Sequence, residues 1–162
     1  MIFVCLGSQS FQFNRLLVEI DRLIENGLVH DHVFAQTGSS DYLPKNYDFK
    51  PFLSHDEFEE LSDRAELIIS HGGTGALINA SKKGKNIIAV PRLSKYGEHV
   101  DDHQLQIVEA LFSQGYVRRV LDISDLGQQI NDALSNPIRK KYSNESHIVD
   151  IIEKYIEEMF SR

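Results

Sequence analysis

The sequence contains a single cysteine, Cys5, in 162 residues. One thiol excludes an internal disulfide and fits a reducing cytoplasm. Cys5 lies inside an apolar run, where a thiol packs as a small hydrophobe rather than serving as an exposed nucleophile. Positive charge is also scarce: 17 Lys and Arg stand against 24 Asp and Glu, for a net charge of -7. That balance gives no general electrostatic support for a nucleic-acid partner, nor for holding an anionic membrane by charge alone. Long apolar runs are missing as well. Met1-Ile2-Phe3-Val4-Cys5-Leu6 has no basic lead-in and stops at Gly7, too short for a signal peptide or a membrane span. No later segment is long and apolar enough to cross a bilayer, so membrane association is expected to come through a partner or a surface patch. There is no internal repeat, no low-complexity tract and no linker. The length predicts one domain, residues 1–162, around one sizeable core.

What is present alternates. Ile2 to Leu6 is a continuous apolar run, as a strand covered on both faces requires. After Gly7-Ser8-Gln9-Ser10 the residues Phe13, Leu16, Leu17, Ile20, Leu23 and Ile24 recur at helical spacing, with Glu19, Asp21, Arg22 and Glu25 predicted on the opposite, solvent side. Asn26-Gly27 ends that helix. Val33 to Gln36 predicts a second strand, and a loop with a short strand is expected near Asp48 to Phe52. Ser54 with Glu57 makes a capping box for a helix over Asp56 to Arg64. Leu67 to Ile69 predicts a buried strand, Thr74 to Lys83 a helix, and Asn86 to Val90 another strand. Helices are then predicted over Asp101 to Gln114 and Ser124 to Leu134, with a strand at Tyr116 to Val120 between them. A C-terminal amphipathic helix is predicted over residues 145–161, with Ile148, Ile152, Tyr155, Ile156 and Met159 on one face. Strands alternating with helices imply a doubly wound α/β fold with a parallel sheet.

Chemistry concentrates between Leu67 and Gln104. His71-Gly72-Gly73-Thr74-Gly75 joins a buried strand to a helix, and such a turn presents free N–H groups to an anion. Glycines alone fit a tight turn equally well. The stretch is not a Walker loop, because Gly84-Lys85 is followed by Asn86, and no G-x-G-x-x-G fingerprint follows the first strand. A second group is Glu98-His99 with Asp101-Asp102-His103-Gln104. His99 and His103 four apart are weak evidence for a metal across a loop-to-helix boundary, and Asp101 and Asp102 are ordinary partners of a helix start. His103 and Gln104 offer the neutral donors and acceptors that sugar hydroxyls need.

Ser70-His71-Gly72-Gly73-Thr74-Gly75, Asn79, Val90-Pro91-Arg92 and Asp102-His103-Gln104 together resemble the donor-binding half of GT-B glycosyltransferases, the family 28 C-terminal domain. The opening Ile2-Phe3-Val4 through Gly7-Ser8 and Phe13-Asn14-Arg15-Leu16 extends the likeness over nearly the whole chain. The resemblance is to the small soluble subunit of two-part enzymes, nearest to bacterial capsule and exopolysaccharide β-1,4-galactosyl or glucuronosyl transferases, with the eukaryotic dolichol-linked N-acetylglucosaminyltransferase as an alternative. It implies a Rossmann-like half of a GT-B fold. It also implies that Gly72 to Gly75 hold the UDP diphosphate beside His71, with Gly7, Ser8 and Gln9 opposite. Phe52 and Leu53 would line the uracil, and Asn79 falls where relatives place an acidic residue on the ribose. Glu98, His99, Asp102, His103 and Gln104 would face the sugar, and Arg92 would support the loop or a phosphate, a surface salt bridge being the other reading.

The implied activity is inverting transfer, galactose first, from a UDP-sugar substrate to a lipid-linked saccharide, without an organic cofactor or an obligatory metal. A membrane-associated acceptor-binding subunit would complete the cleft and carry the general base, recruiting this cytoplasmic chain to the inner face of the membrane. A non-catalytic enhancer and an independent sugar-nucleotide enzyme such as an epimerase are the rival readings, and a homo-oligomer remains open.

Overall fold

Strand β1 (Ile2–Cys5) is buried at every position and sorts its side chains into two layers. Ile2 and Val4, with Leu6 beyond, join one apolar cluster, while Phe3 and Cys5 join the other. That division requires helices on both faces. The computed structural model describes residues 1–143 and 148–161. The order continues with α1 (Asn14–Glu25), β2 (Val33–Gln36), β3 (Asp48–Lys50), α2 (His55–Arg64), β4 (Leu67–His71), α3 (Thr74–Lys82), β5 (Ile87–Val90), α4 (His103–Ser113), β6 (Arg118–Arg119), α5 (Leu126–Ser135) and α6 (Ile148–Phe160). The sheet runs β3-β2-β1-β4-β5-β6, with every pairing parallel. Leu16, Leu17, Ile20 and Leu23 of α1 and Leu126, Ile130 and Ala133 of α5 cover the first face. Leu77 of α3, Ile107, Val108 and Leu111 of α4 and Ile152 of α6 cover the second. The doubly wound reading holds.

Several boundaries move, each for a local reason. Strand β3 stops at Lys50 rather than Phe52, where Pro51 has no N–H to continue a ladder. Strand β6 narrows to Arg118–Arg119, with Tyr116, Val117 and Val120 buried around it. The segment predicted as a helix from Ser124 opens as a 3-10 turn over Ile123–Asp125, in which Asp122 accepts from the Ser124 N–H and hydroxyl. Helix α4 begins at His103, whose N–H donates to Asp101 Oδ1 at 2.9 Å. Residues 145–147 of the predicted tail helix lie outside the described residues, and Ile152 is buried.

Asp21 and Glu19 overturn their placement on the solvent side of α1: both are buried. Asp21 accepts from the Tyr42 hydroxyl at 2.7 Å and from the N–H groups of Lys45 and Asn46, each at 2.8 Å. Those bonds, made to a carboxylate, are the reason an irregular, proline-containing segment packs tightly beside α1. Glu19 is satisfied by Arg22 through a two-point contact.

Candidate functional site

The topology selects the place. From β1 the chain winds outward to β2 and β3, then returns to β4 on the other side of β1. In open α/β sheets ligands bind outside the strand C-termini at such a reversal. Cys5 pairs with Ser70 across it, so the turn after Cys5 and the turn after His71 stand side by side. A cavity of about 380 Å³ lies there, lined by Gly7, Ser8, Gln9, His71, Gly72, Gly73, Thr74, Gly75, Ala76, His99, His103, Gln104 and Ile107. Of the residues expected at a site, it gathers both turns with His99, His103 and Gln104.

Helix α3 opens into this cavity with no side-chain cap; its N-cap is Gly73. Helix α2, by contrast, carries the complete Ser54–Glu57 capping box. The first N–H groups of α3 are therefore left to a ligand, with the positive end of the helix dipole behind them. His71 is fixed in a slot between the two turns. A Cβ on Gly73 would stand 2.3 Å from His71 Nε2, and one on Gly7, which has φ +73°, would stand 2.8 Å from it. His71 Nδ1 lies 3.2 Å from the Cys5 carbonyl. A carbonyl only accepts, so the proton sits on Nδ1 and Nε2 keeps its lone pair. Burial, followed by the positive charge of Arg92, lowers the His71 pKa to about 4. The imidazole beside the glycine turn is thus neutral at pH 7, an acceptor and not a cation. Burial also pushes the Cys5 thiol up to about 11, in keeping with a core residue.

Gln104 acts as a bracket. Its Oε1 accepts from the Gly72 N–H and the Arg92 N–H, each at 3.1 Å, tying the glycine turn after β4 to the end of β5. The loops of the rim are clasped in a similar way. Gln12 Nε2 donates to the Tyr96 carbonyl at 2.9 Å, and the Phe11 and His99 rings stack at 4.9 Å.

Six expected site residues do not line the cavity. Glu98 is 0% exposed and corrects the expectation that it faces a sugar. Its carboxylate accepts from Arg15 Nε at 2.8 Å, from a second Arg15 nitrogen at 3.0 Å and from the Leu93 N–H at 2.9 Å. Arg92 is 1% exposed, which removes the surface salt bridge. Its guanidinium supports the loops by donating to the carbonyls of Leu6, Phe11 and Gln12. Asp102 points outward and accepts from the Ser94 N–H and hydroxyl. Asn79 is exposed on α3, one turn beyond Gly75, and donates to Glu59 at 3.5 Å. Phe52 is exposed at the C-terminal end of β3. Leu53 lines a different and larger groove of about 590 Å³ between β3 and α2. That groove lies along the sheet edge and has no uncapped helix start in its lining, so the smaller cavity is the better site. Among the described residues no three His, Cys, Asp or Glu side chains come together as metal ligands.

Sequence reasoning passed over Gln36, at the C-terminal end of β2. It is buried, its Nε2 is 3.5 Å from the Gly7 carbonyl, and its Oε1 has no partner among the described residues. A glutamine closing an otherwise apolar strand just before Thr37-Gly38 was the signal that marked it.

A six-stranded parallel sheet with its site at the β1/β4 reversal is one Rossmann-like half of the GT-B glycosyltransferase fold. Solved structures agree: MurG of Acinetobacter baumannii superposes with a TM-score of 0.57 at 19% identity, covering 93% of this chain and 49% of that one. An NMR structure of ALG13 gives a TM-score of 0.55 at 18% identity, with 99% and 96% covered. The chain belongs to the glycosyltransferase family 28 C-terminal domain family, whose model matches residues 1–158. Among curated proteins it is similar to the UDP-N-acetylglucosamine transferase subunit ALG13 of Mus musculus, 25% identical over 122 residues, 71% of this chain and 10% of that protein. The subunit of the same name from Cryptococcus neoformans is 31% identical over 80 residues, 48% of this chain and 38% of that one. The chain thus spans well under half of the length of these curated relatives.

Proposed function

We propose that this chain is the donor-binding, catalytic subunit of a heteromeric inverting glycosyltransferase that uses a UDP-sugar. The observation that carries the reading is the uncapped start of α3 opening into the cavity beside a neutral His71. The α3 N–H groups and dipole would bind the diphosphate and stabilise the charge that develops on it as the glycosidic bond to UDP breaks. His71 Nε2, His99, His103 and Gln104 would meet the transferred sugar, and Phe52 and Leu53, farther along the strand C-termini, the uracil. No metal is needed for that division of labour. The relatives favour N-acetylglucosamine as the transferred sugar, since both are named UDP-N-acetylglucosamine transferase subunits. Galactose transfer and a place in capsule or exopolysaccharide assembly draw no support from them.

The acceptor side is proposed to come from a membrane-associated partner that holds a lipid-linked saccharide and supplies the general base. Among the described residues no helix is long and apolar enough to cross a membrane, which fits recruitment through that partner to the cytoplasmic face. The test is co-expression with the candidate partner and assay against UDP-N-acetylglucosamine, UDP-galactose, UDP-glucose and UDP-glucuronate. Transfer from one donor, lost in His71→Ala while the complex still assembles, is the expected result. Unchanged transfer in that variant refutes the catalytic-subunit reading in favour of an enhancer role.

A further inference from the structure

The buried Arg92 and Glu98 and the half-buried Arg15 meet between the β1–α1 turn and the loop after β5, and their charges do not balance. Glu98 is spoken for by Arg15, whose Nε and terminal nitrogen reach its two oxygens at 2.8 and 3.0 Å. That two-point contact makes a neutral unit. Arg92 is left over. At 1% exposure it is among the largest fully buried side chains, and its side chain donates to carbonyls: Leu6 at 2.6 Å, Gln12 at 2.9 Å, Phe11 at 3.1 Å and the Glu98 backbone at 3.5 Å. No carboxylate among the described residues forms an ion pair with it. Carbonyl dipoles satisfy its donors but leave the unit charge in place.

We propose that Arg92 is an electrostatic residue of the cavity, a buried cation that strengthens binding of the donor's diphosphate through space without touching it. The inference rests on the nucleotide reading of the cavity. Arg92 sits one layer behind both turns: its side chain holds Leu6, the residue before Gly7, and its N–H shares Gln104 Oε1 with the Gly72 N–H. Its field reaches the cavity, since Arg92 is a cause, after burial, of the lowered His71 pKa. Burial lowers the pKa of Arg92 itself only to about 10, so it is charged at pH 7. The opposing rim charges, Asp101 and Asp102, are solvent-exposed and screened, whereas a buried charge is screened much less. Glu98 lies close enough to raise the Arg92 pKa in part, but it is shared with Arg15. The three groups therefore keep one net positive charge, and a cation in low dielectric gains from an anion arriving nearby.

The experiment compares ligands that differ in charge. UDP and uridine are titrated by NMR into the wild-type chain, Arg92→Gln and Arg92→Lys at one pH and salt concentration. Arg92→Gln is expected to weaken UDP about tenfold and uridine less than about twofold, the scale of one charge acting across a partly desolvated gap. Arg92→Lys is expected to keep the UDP-to-uridine preference within about threefold of wild type. A merely structural role would weaken both ligands alike in both variants, and that result overturns the proposal. If Arg92→Gln gives no native spectrum, Arg92→Met, which also removes the charge, takes its place: a lowered UDP-to-uridine preference supports the proposal and an unchanged one overturns it. Binding of neither ligand by wild type overturns the nucleotide reading, and the proposal with it.

Discussion

Gln104 gives the sharpest test of how the site is held together. Its side chain is 5% exposed, and one oxygen accepts two main-chain N–H groups, Gly72 and Arg92, each at 3.1 Å. Gln104→Ala strands both donors in a buried place. An unpaired buried donor costs about 1–3 kcal/mol, and water entering the space left by the side chain would relieve part of that. The loss is therefore expected near 3 kcal/mol, about 6–12 °C in the melting temperature of a chain this long. Gln104→Glu keeps an oxygen in the same position and places a carboxylate near the buried Arg92 cation. It should cost less than about 1 kcal/mol by the same reasoning. Thermal and urea unfolding followed by far-UV circular dichroism measure both variants. A melting temperature for Gln104→Ala within 2 °C of wild type, on the order of what a surface change gives, would refute the bracket. So would a glutamate variant as unstable as the alanine one.

The remaining expectations are smaller in scope. His71 should titrate in NMR with a midpoint near 4 instead of 6.5; the unfolded chain then binds the extra proton between those values, so stability rises with pH through that window and acidification forfeits up to about 3 kcal/mol. His71→Asn should flatten that slope. Gly73→Ala places a methyl 2.3 Å from His71 Nε2, and overpacking of about 1–3 kcal/mol together with lost UDP binding is the expected outcome by calorimetry and NMR titration. Ser54→Ala removes the box that caps α2, which should lower stability by about 1 kcal/mol while UDP affinity stays unchanged. Arg15→Met leaves the Glu98 carboxylate buried and unpaired, a loss of about 3–5 kcal/mol; the double variant Arg15→Met, Glu98→Leu should be more stable than that single one in urea unfolding.

The elements were legible wherever burial repeats at one period. β1, β5 and the Leu67 to Ile69 part of β4 read as strands because both faces are covered and those positions are apolar; Ser70 and His71, which continue β4, are polar and fell outside that pattern. Helix α1 read correctly as a helix and wrongly as to which of its charges face water. Periodicity assigns Asp21 to the polar face, but the donors that satisfy it in its buried place come from Tyr42, Lys45 and Asn46, and no local pattern carries that. Glu98 failed for the same reason on a larger scale. A glutamate in a polar loop reads as exposed, and its partner Arg15 is 83 residues away. The glycine turn succeeded because its requirement is local: a strand must become a helix within three residues, and Gly72 and Gly73 leave room for Gln104 and His71.

A common feature of the cavity follows from which groups face it. The proposed anion recognition would rest on main-chain N–H groups at the start of α3, beside a neutral imidazole whose tautomer is set by Cys5 and whose free nitrogen is an acceptor. The main-chain donors have no side-chain rotamer to lose when a ligand arrives, and the His71 ring is held between Gly7 and Gly73, so both are oriented in advance. The long charged side chains that could have reached in, Arg15, Arg92 and Glu98, are spent on fastening the two loops to each other and to the ends of β1 and β5. An arrangement of that kind gives geometric precision to the turns, and under the proposal above it leaves charge to act from behind them. It also explains why substitutions at the buried loop residues should change affinity through the position and field of the turns, whereas those at His99 and His103, on the cavity wall, act on the ligand itself.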